Sequence, residues 1–425
     1  MIRTTRLWRS IAVVGVASLA LAACGGDDDG DGTAAGDDES PATEQTGDGE
    51  LVLGTLLPQT GSLAFLGPPE FAGVDLAVAD INAAGGVLGE DVVVNHTDSG
   101  DTSTDIASQS VDSLLSQNVD AIIGAASSGV TATVIDAVVQ SGTVMFSPAN
   151  TSPDFTDYPD DGFYFRTAPS DVLQGRVMGD LVISDGYANV GIMALQDPYG
   201  EGLAENITIS VEEGGGTIAG GEAIIYDPNA ANYATEVTQM AANSPDAIVL
   251  VGFEETLTII PELVAQGIGP QDVPLYFVDG NLSNYGDQLP AGTLDGNKGT
   301  LPGAETTSDF QASLLEIDPD LADFSYAPES YDAGILIALA AVAAEDDGAE
   351  SIAARLVDIS KEGTKCTTFE ECVGLLEDGE DIDYDGASGP VEFSDVGDPT
   401  VATIGIYQYG PDNTYTNVAF EEGQL

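Results

Sequence analysis

Residues 51–96 decide the fold, because LVLGTLLP (51–58), FAGVDLAVADINAAGG (71–86) and VVVNH (92–96) follow one another there. The first and third segments are short apolar runs typical of strands. The middle segment has apolar residues at helical spacing and ends at a pair of glycines. The alternation continues through strand-like runs, most of them separated by helical segments: DAIIG, TVMFSP, ANVGIMA, DAIVLVG and PLYFVD. This pattern predicts an α/β fold whose parallel sheets are covered on both faces.

The N-terminus has the features of an export signal. Three arginines within the first nine residues precede an apolar run, residues 11–23, that is too short for a comfortable membrane span. LAAC resembles a bacterial lipobox, so we expect residues 1–23 to be a lipoprotein signal peptide and Cys24 to carry the lipid. An ordinary signal with an incidental Cys24 is the alternative. Residues 24–49 lack bulky side chains and predict a disordered acidic linker.

The charge is extreme, with 72 acidic against 9 basic residues and a formal net charge of −63. Such a chain repels nucleic acid, whose phosphates need lysine and arginine. Repulsion among the carboxylates also destabilises a compact state at low ionic strength. We therefore expect no nucleic-acid partner and a halophilic-type acidic surface that is suited to high salt, where screening is strong.

Two cysteines remain if Cys24 is lipidated. Cys366 and Cys372 lie close together in KCTTFEEC, and such a pair in an exported chain predicts a disulfide. Zinc is the alternative, but a tetrahedral site wants four ligands, and His96, the single histidine, is far away in sequence. We predict no metal and no cofactor.

A calcium-loop pattern occurs at residues 381–392, DIDYDGASGPVE. Ser388 stands where such loops place an apolar residue, and Pro390 interrupts the approach to the last acidic ligand. The segment that follows also has the pattern of a strand and a turn rather than of an exiting helix. In a chain this rich in aspartate we interpret the match as a chance one.

The turn GAASSGVT, residues 124–131, has the spacing of a phosphate-binding loop, but Val130 replaces the lysine. It follows a predicted strand and precedes a helix, where unpaired N–H groups favour an anion. Ser127 and Ser128 either cap that helix or bind a ligand. Thr151 follows the next strand, and because ligands bind beyond the carboxyl ends of such strands, the two turns predict one polar crevice that suits a carboxylate.

Four segments carry a family resemblance: residues 56–89, residues 124–156, YFRTAPSDVLQGRVMGDLV and DPYGEGLAENI. They resemble the amino-acid-binding proteins of branched-chain amino acid ABC transporters. The resemblance implies two doubly wound, Rossmann-like lobes joined by three crossovers, the type I periplasmic-binding-protein fold. The implied lobes are residues 51–168 plus 302–386 and residues 169–301 plus 387–425.

The resemblance also implies a ligand site. Ser127 and Ser128 lie in its first turn, and Ser128 and Thr151 match residues that contact the carboxylate and ammonium ends of the ligand. Ala149 matches a residue whose carbonyl accepts from the ammonium, which pairs with the residue matching Asp279. The remaining predicted site residues form a wall, in which Leu66 and Phe253 replace tyrosines of the family and Tyr199 matches an aromatic residue of the facing lobe.

The function that these features imply is capture of an amino acid outside the cytoplasm, by a monomer anchored to the membrane through Cys24, and its delivery to an ABC permease. A sensory lipoprotein for amides or other small carboxylates is the alternative. An amidase or esterase using Ser127 or Ser128 is a further rival. With His96 as the single histidine, however, such a serine has no evident base.

Overall fold

The computed structural model describes residues 47–425, which belong to one compact unit, Gln45–Leu425. The predicted signal peptide, the predicted lipidation site Cys24 and most of the predicted linker lie outside the described residues.

The described elements alternate as the sequence predicts. The strands are β1 Val52–Leu57, β2 Val93–Asp98, β3 Ala121–Gly124, β4 Val144–Ser147, β5 Tyr164–Arg166, β6 Asn189–Leu195, β7 Thr217–Ile218, β8 Ile224–Tyr226, β9 Ala247–Val251, β10 Leu275–Phe277, β11 Lys298–Pro302, β12 Thr364–Cys366, β13 Ile382–Tyr384, β14 Val401–Tyr409 and β15 Tyr415–Gln424. The α-helices are α1 Gly67–Ala83, α2 Ile106–Ser116, α3 Ser128–Gln140, α4 Asp171–Ser184, α5 Pro198–Glu213, α6 Ala234–Asn243, α7 Thr256–Ala265, α8 Ser308–Ile317, α9 Ala327–Ala344, α10 Ala349–Leu356 and α11 Phe369–Glu377. Three short 3-10 helices cover Pro153–Phe155, Asp279–Asn281 and Gly286–Gln288.

Two large sheets have the same strand order. The first is β2-β1-β3-β4-β5, with all strands parallel. In the second, β6 takes the place of β1, pairs with β7 and β8 on one side, and is followed by β9, β10 and β11 on the other. The antiparallel hairpin β14–β15 extends that sheet beyond β11. The predicted α/β fold with doubly wound sheets is thus present twice.

Hydrophobic cores cover both faces of the first sheet. In β3, Ile122 packs with α2 and α3, whereas Ile123 packs with α1 and α9, since successive side chains of a strand point to opposite faces. A separate cluster of buried residues surrounds the second sheet. Val391 and Phe393 pack in the core of the first sheet, although they lie in the segment that we assigned to lobe 2. The lobe boundaries stay a prediction.

Helix α9 has the length and mean hydropathy that a membrane span requires, and it is the one such helix among the described residues. Of its apolar window 83% is buried inside the protein. A helix that is apolar on all sides belongs in a core, and this one lies between α1 and the first sheet.

The chain passes between the two sheets three times: after β5, after β11 and before β14. Arg166 at the first passage and Asp398 at the third form a buried bidentate ion pair, with Nε–Oδ1 and Nη2–Oδ2 distances of 2.6 and 2.7 Å. Arg166 Nη1 also donates to the carbonyl of Ser152, at 2.7 Å. One guanidinium thus holds together two connections and a loop of the first sheet.

The cysteine pair and the calcium-like segment lie next to the small sheet β12–β13. Cys366 and Cys372 form the predicted disulfide. Asp383 and Asp385, which a calcium loop would use as ligands, bind the ammonium of Lys365 at 3.0 and 2.9 Å. Among residues 47–425 no group of three or more acidic, cysteine or histidine side chains is placed to hold a metal ion.

Candidate functional site

The site begins where β3 ends. Gly124 has a φ of +134°, and a Cβ added to it would lie 2.2 Å from the carbonyl oxygen of Leu56, so only glycine fits this turn. The Ser127 side chain accepts a hydrogen bond from the N–H of Val130 at 3.3 Å and caps α3. Ser127 is therefore a capping residue. Ser128 does not cap the helix, because its Oγ accepts from the N–H of Ser152 at 3.4 Å instead.

The loop after β4 lies beside this turn. Ser147 Oγ donates to the carbonyl of Ala125 at 2.7 Å, which ties the two strand ends together. Thr151 is 1% exposed, and its hydroxyl has no hydrogen-bond partner among the described residues. Ala149 is buried too, at 6% exposure. The predicted residues Ser128, Ala149 and Thr151 therefore share one sheet edge.

The second sheet contributes an acid that several donors surround. Asp279 follows β10, and its carboxylate accepts from the hydroxyls of Tyr199 at 2.7 Å and Tyr326 at 2.8 Å, and from Gln174 Nε2 at 3.0 Å. Burial raises the pKa of Asp279, whereas these three hydrogen bonds lower it. Asp279 and Tyr199 lie together as predicted, but sequence reasoning missed Gln174 and Tyr326.

A second buried acid faces the same place. Asp171 is fully buried at the start of α4, and neither of its carboxylate oxygens has a hydrogen-bond partner among residues 47–425. The Thr151 hydroxyl lies near this carboxylate but does not reach hydrogen-bond geometry. Burial raises the pKa of Asp171 well above its ordinary value, and the negative charge of Asp279 raises it further. Two carboxyls in one dry site create a strong preference for a positive charge.

An apolar wall completes the site. The rings of Tyr199 and Phe253 stack with their centroids 5.5 Å apart and an interplanar angle of 8°. Leu66, at the start of α1, belongs to the same buried cluster. A cavity of about 130 Å³ opens beside Phe253, between Phe65 and Leu257. Tyr199 and Phe253 are therefore in direct contact, whereas Phe65, the neighbour of Leu66, lines the cavity beside Phe253.

The two sheet edges touch across the site. Ser152 Oγ, from the loop after β4, donates to the carbonyl of Pro198, at the start of α5, at 3.0 Å. A Cβ added to Gly202 would lie 2.7 Å from the ring of Pro153, so the backbone of α5 approaches that loop closely. Because all the predicted site residues are less than a tenth exposed, the cleft is closed in this structure.

The chemistry of the site is divided between two ends. The first turn of α3 and the hydroxyls of Ser128 and Thr151 can donate to a carboxylate, as helix N-termini do for anions. Asp171 and Asp279 are suited to a cation. A polar cleft between two doubly wound sheets, with hydroxyl and backbone donors at one end and buried carboxyls at the other, is typical of a two-lobed solute-binding protein.

Comparison with known proteins supports this class. Residues 50–398 match the family described as periplasmic binding protein, and the chain belongs to that family. It is 26% identical to the chemotactic signal transduction system substrate-binding protein BasB of Halobacterium salinarum, over 83% of this chain and 86% of that one. It is 25% identical to Leu/Ile/Val-binding protein homolog 2 of Brucella abortus, over 86% and 92%. Its fold matches a solute-binding protein of an R. palustris ABC transporter in complex with benzoate, with a TM-score of 0.69, 20% identity and coverage of 89% and 98%.

Proposed function

We propose that this binding protein captures an amino acid with an aliphatic side chain in the closed cleft. The observation that carries the proposal is the pair of buried carboxyls, Asp171 and Asp279, which interact with each other and have no free lysine or arginine among residues 47–425 to neutralise them. Arg166 lies close enough to lower the pKa of Asp171, but its guanidinium is already bound to Asp398. A ligand ammonium would supply the missing charge, and its carboxylate would reach the start of α3.

The same carboxyls argue against an aromatic acid of the kind bound by the R. palustris neighbour. A benzoate brings a negative charge and no cation, so it would leave Asp171 and Asp279 without a counter-charge in a dry site. Leu66 and Phe253 are buried and apolar, and we propose that they form the wall that holds an aliphatic side chain. The Brucella abortus relative, named for leucine, isoleucine and valine, supports a branched-chain ligand.

In the proposed cycle, the ligand stabilises the closed form because it contacts both sheets at once. The protein would act outside the cytoplasm, held to the membrane by a lipid on Cys24, and the closed form would deliver its ligand to the permease of an ABC importer. We propose that it performs no catalysis. His96, the single histidine, is bound to Thr55 and Asp75, each at 2.9 Å, on β2 rather than at the turn of Ser127 and Ser128.

Sensing is the second candidate, and the similarity to BasB favours it. In that case the closed form would dock on a signalling receptor rather than on a permease. A capture experiment separates the two roles. The protein is loaded with its amino acid and tested for binding to the detergent-solubilised permease and, separately, to candidate receptors expressed from the same genome. Ligand-dependent binding to the permease supports transport, and ligand-dependent binding to a receptor alone contradicts it.

Calorimetry with chemically matched ligands tests the proposed site. We expect leucine to bind, and 4-methylpentanoate, which lacks the ammonium, and 3-methylbutylamine, which lacks the carboxylate, to bind at least about tenfold more weakly. Each loses a hydrogen-bonded charge worth about 1.5–3 kcal/mol. Asp279→Asn is expected to weaken leucine by a similar factor, whereas the exposed control Asp412→Asn leaves it unchanged. Equal affinity for leucine and 4-methylpentanoate would refute an ammonium subsite.

A further inference from the structure

A second cavity, of about 300 Å³, lies beside the crossover that leaves β11. Its walls come from residues 301–306, from the loop that leads into α9, and from the hairpin β14–β15. Three acidic and three tyrosine side chains face it: Glu305, Asp323, Glu329, Tyr326, Tyr407 and Tyr415. Neither the amino-acid cleft nor the family resemblance accounts for this combination.

Glu329 is the buried acid of this cavity. The residue is 2% exposed, and no other residue of the described chain donates a hydrogen bond to its carboxylate or pairs with it. Gly303 forms the wall beside it, since a Cβ there would lie 2.7 Å from Glu329 Oε1. The pKa of Glu329 is raised to about 8, mainly by burial and to a smaller extent by Asp332, while its own backbone N–H opposes the rise. Glu70 is also fully buried, and burial together with the charge of Glu329 raises its pKa well above its ordinary value.

Tyr407 lies close to all three acids. The pKa of Tyr407 is raised to about 12, mainly by burial and further by the charges of Glu329, Asp323 and Glu305, while a hydrogen bond with Asn417 opposes the rise. Its ring meets the ring of Tyr415 edge to face, with the centroids 5.3 Å apart. The carboxylates and the aromatic faces are therefore part of one small space.

The protein's own cations do not reach this space. The lysines and arginines of residues 47–425 have partners elsewhere: Arg166 with Asp398, Arg176 with the carbonyl of Gln424, Lys298 with Asp185, Arg355 with Asp358, Lys361 with Asp395, and Lys365 with Asp383 and Asp385. The three acids also do not converge as metal ligands within the described chain.

We propose that this cavity is a binding site for a small organic cation of the quaternary ammonium class. Aromatic faces attract such a cation through their quadrupoles, and they do so more strongly when water is excluded. The carboxylates supply the counter-charge. A bare inorganic ion would prefer converging oxygen ligands, and a neutral apolar molecule would leave Glu329 unpaired.

The two sites share one residue. Tyr326 lines the cavity, and its hydroxyl donates to Asp279 in the amino-acid cleft. Glu329, Tyr407 and Glu305 line the cavity and are not among the predicted residues of the amino-acid cleft. Substitutions at these three positions therefore test the cation site separately from the proposed amino-acid site.

Calorimetry with choline and its neutral isostere 3,3-dimethylbutan-1-ol tests the proposal. Both are titrated in about 1 M NaCl, which screens unspecific attraction to the acidic surface. We expect one choline per chain and about tenfold weaker binding of the alcohol, because the alcohol loses both the cation–π attraction and the pairing with the carboxylates. Equal affinity for the two ligands, or no choline binding at millimolar concentration, overturns the proposal.

Variants locate the binding. We expect Glu329→Gln and Tyr407→Leu each to weaken choline about tenfold, and Tyr407→Phe and the exposed Glu316→Gln to leave it unchanged. Retained leucine binding shows that the variants are folded. If leucine does not bind the parent, the circular dichroism spectrum shows instead whether the variants are folded. The proposal of a cation site can therefore be tested even if the proposal of an amino-acid site is wrong. Choline binding that Asp279→Asn abolishes and Glu329→Gln leaves intact would place the cation in the cleft and refute the second site.

Discussion

Replacing Asp398 by asparagine removes the counter-charge of the guanidinium that links two crossovers. Arg166 is fully buried, and its ion pair with Asp398 is bidentate. Removing one partner of such a pair costs about 3–5 kcal/mol, because the other charge stays buried without compensation. Arg166 keeps its hydrogen bonds to the carbonyls of Asn150 and Ser152, so we expect a value near the lower end, about 3 kcal/mol.

Urea unfolding, followed by far-ultraviolet circular dichroism, measures this loss. The matched control is Asp395→Asn in the same crossover, because the Asp395 side chain is 97% exposed and its pairing with Lys361 is at 3.2 Å. We expect no measurable loss for the control. Arg166→Met combined with Asp398→Leu should lose less than the two single variants added together, since neither charge is then buried alone. A loss below about 1 kcal/mol for Asp398→Asn would refute the reasoning.

Two further predictions concern pH and salt. Burial raises the pKa of Glu329 to about 8 and the pKa values of Asp120 and Asp197 to about 7. Because the folded protein holds these protons more tightly than the unfolded chain does, the three acids stabilise the fold at low pH. This contribution is lost as the pH rises through the folded-state pKa. The free energy of unfolding should therefore fall between about pH 5 and about pH 8, and Glu329→Gln should reduce that fall. Urea unfolding at several pH values measures it, and an equal fall in the variant and the parent would contradict this prediction. With a net charge of −63, the melting temperature should be lower in dilute buffer than in about 1 M salt, and a salt-independent melting curve would show that surface repulsion is unimportant.

Local pattern predicts both sheets because their strands are short apolar runs between helices of clear period. The same pattern brings Ser128, Thr151 and Asp279 into one cleft, since each follows a strand whose carboxyl end lies at the ligand edge. Ser127 was the ambiguous position, and the structure makes it a helix cap. A serine just before a helix can either cap the helix or bind a ligand, and the sequence does not show where its hydroxyl points.

Other site residues could be found only in part. Asp171 and Gln174 lie three residues apart on α4, so their polar side chains on an otherwise buried helix were an available signal. Tyr326 gave none, because it reaches Asp279 from a distant segment and has the left-handed backbone conformation, with a φ of +59°. Such contacts depend on how the crossovers place one sheet against the other, which local sequence does not encode.

The order in which the chain visits its two sheets has a consequence for biosynthesis. A growing polypeptide makes β1 to β5 long before it makes α9, the apolar helix that packs against one face of that first sheet. Helices α1, α2 and α3 are made early and cover part of this sheet, but the ribosome must release residues as far as Ala344, including most of the second sheet, before the face that α9 packs against is fully covered. A nascent chain that stalls before that point therefore exposes to chaperones the apolar surface that α9 would cover.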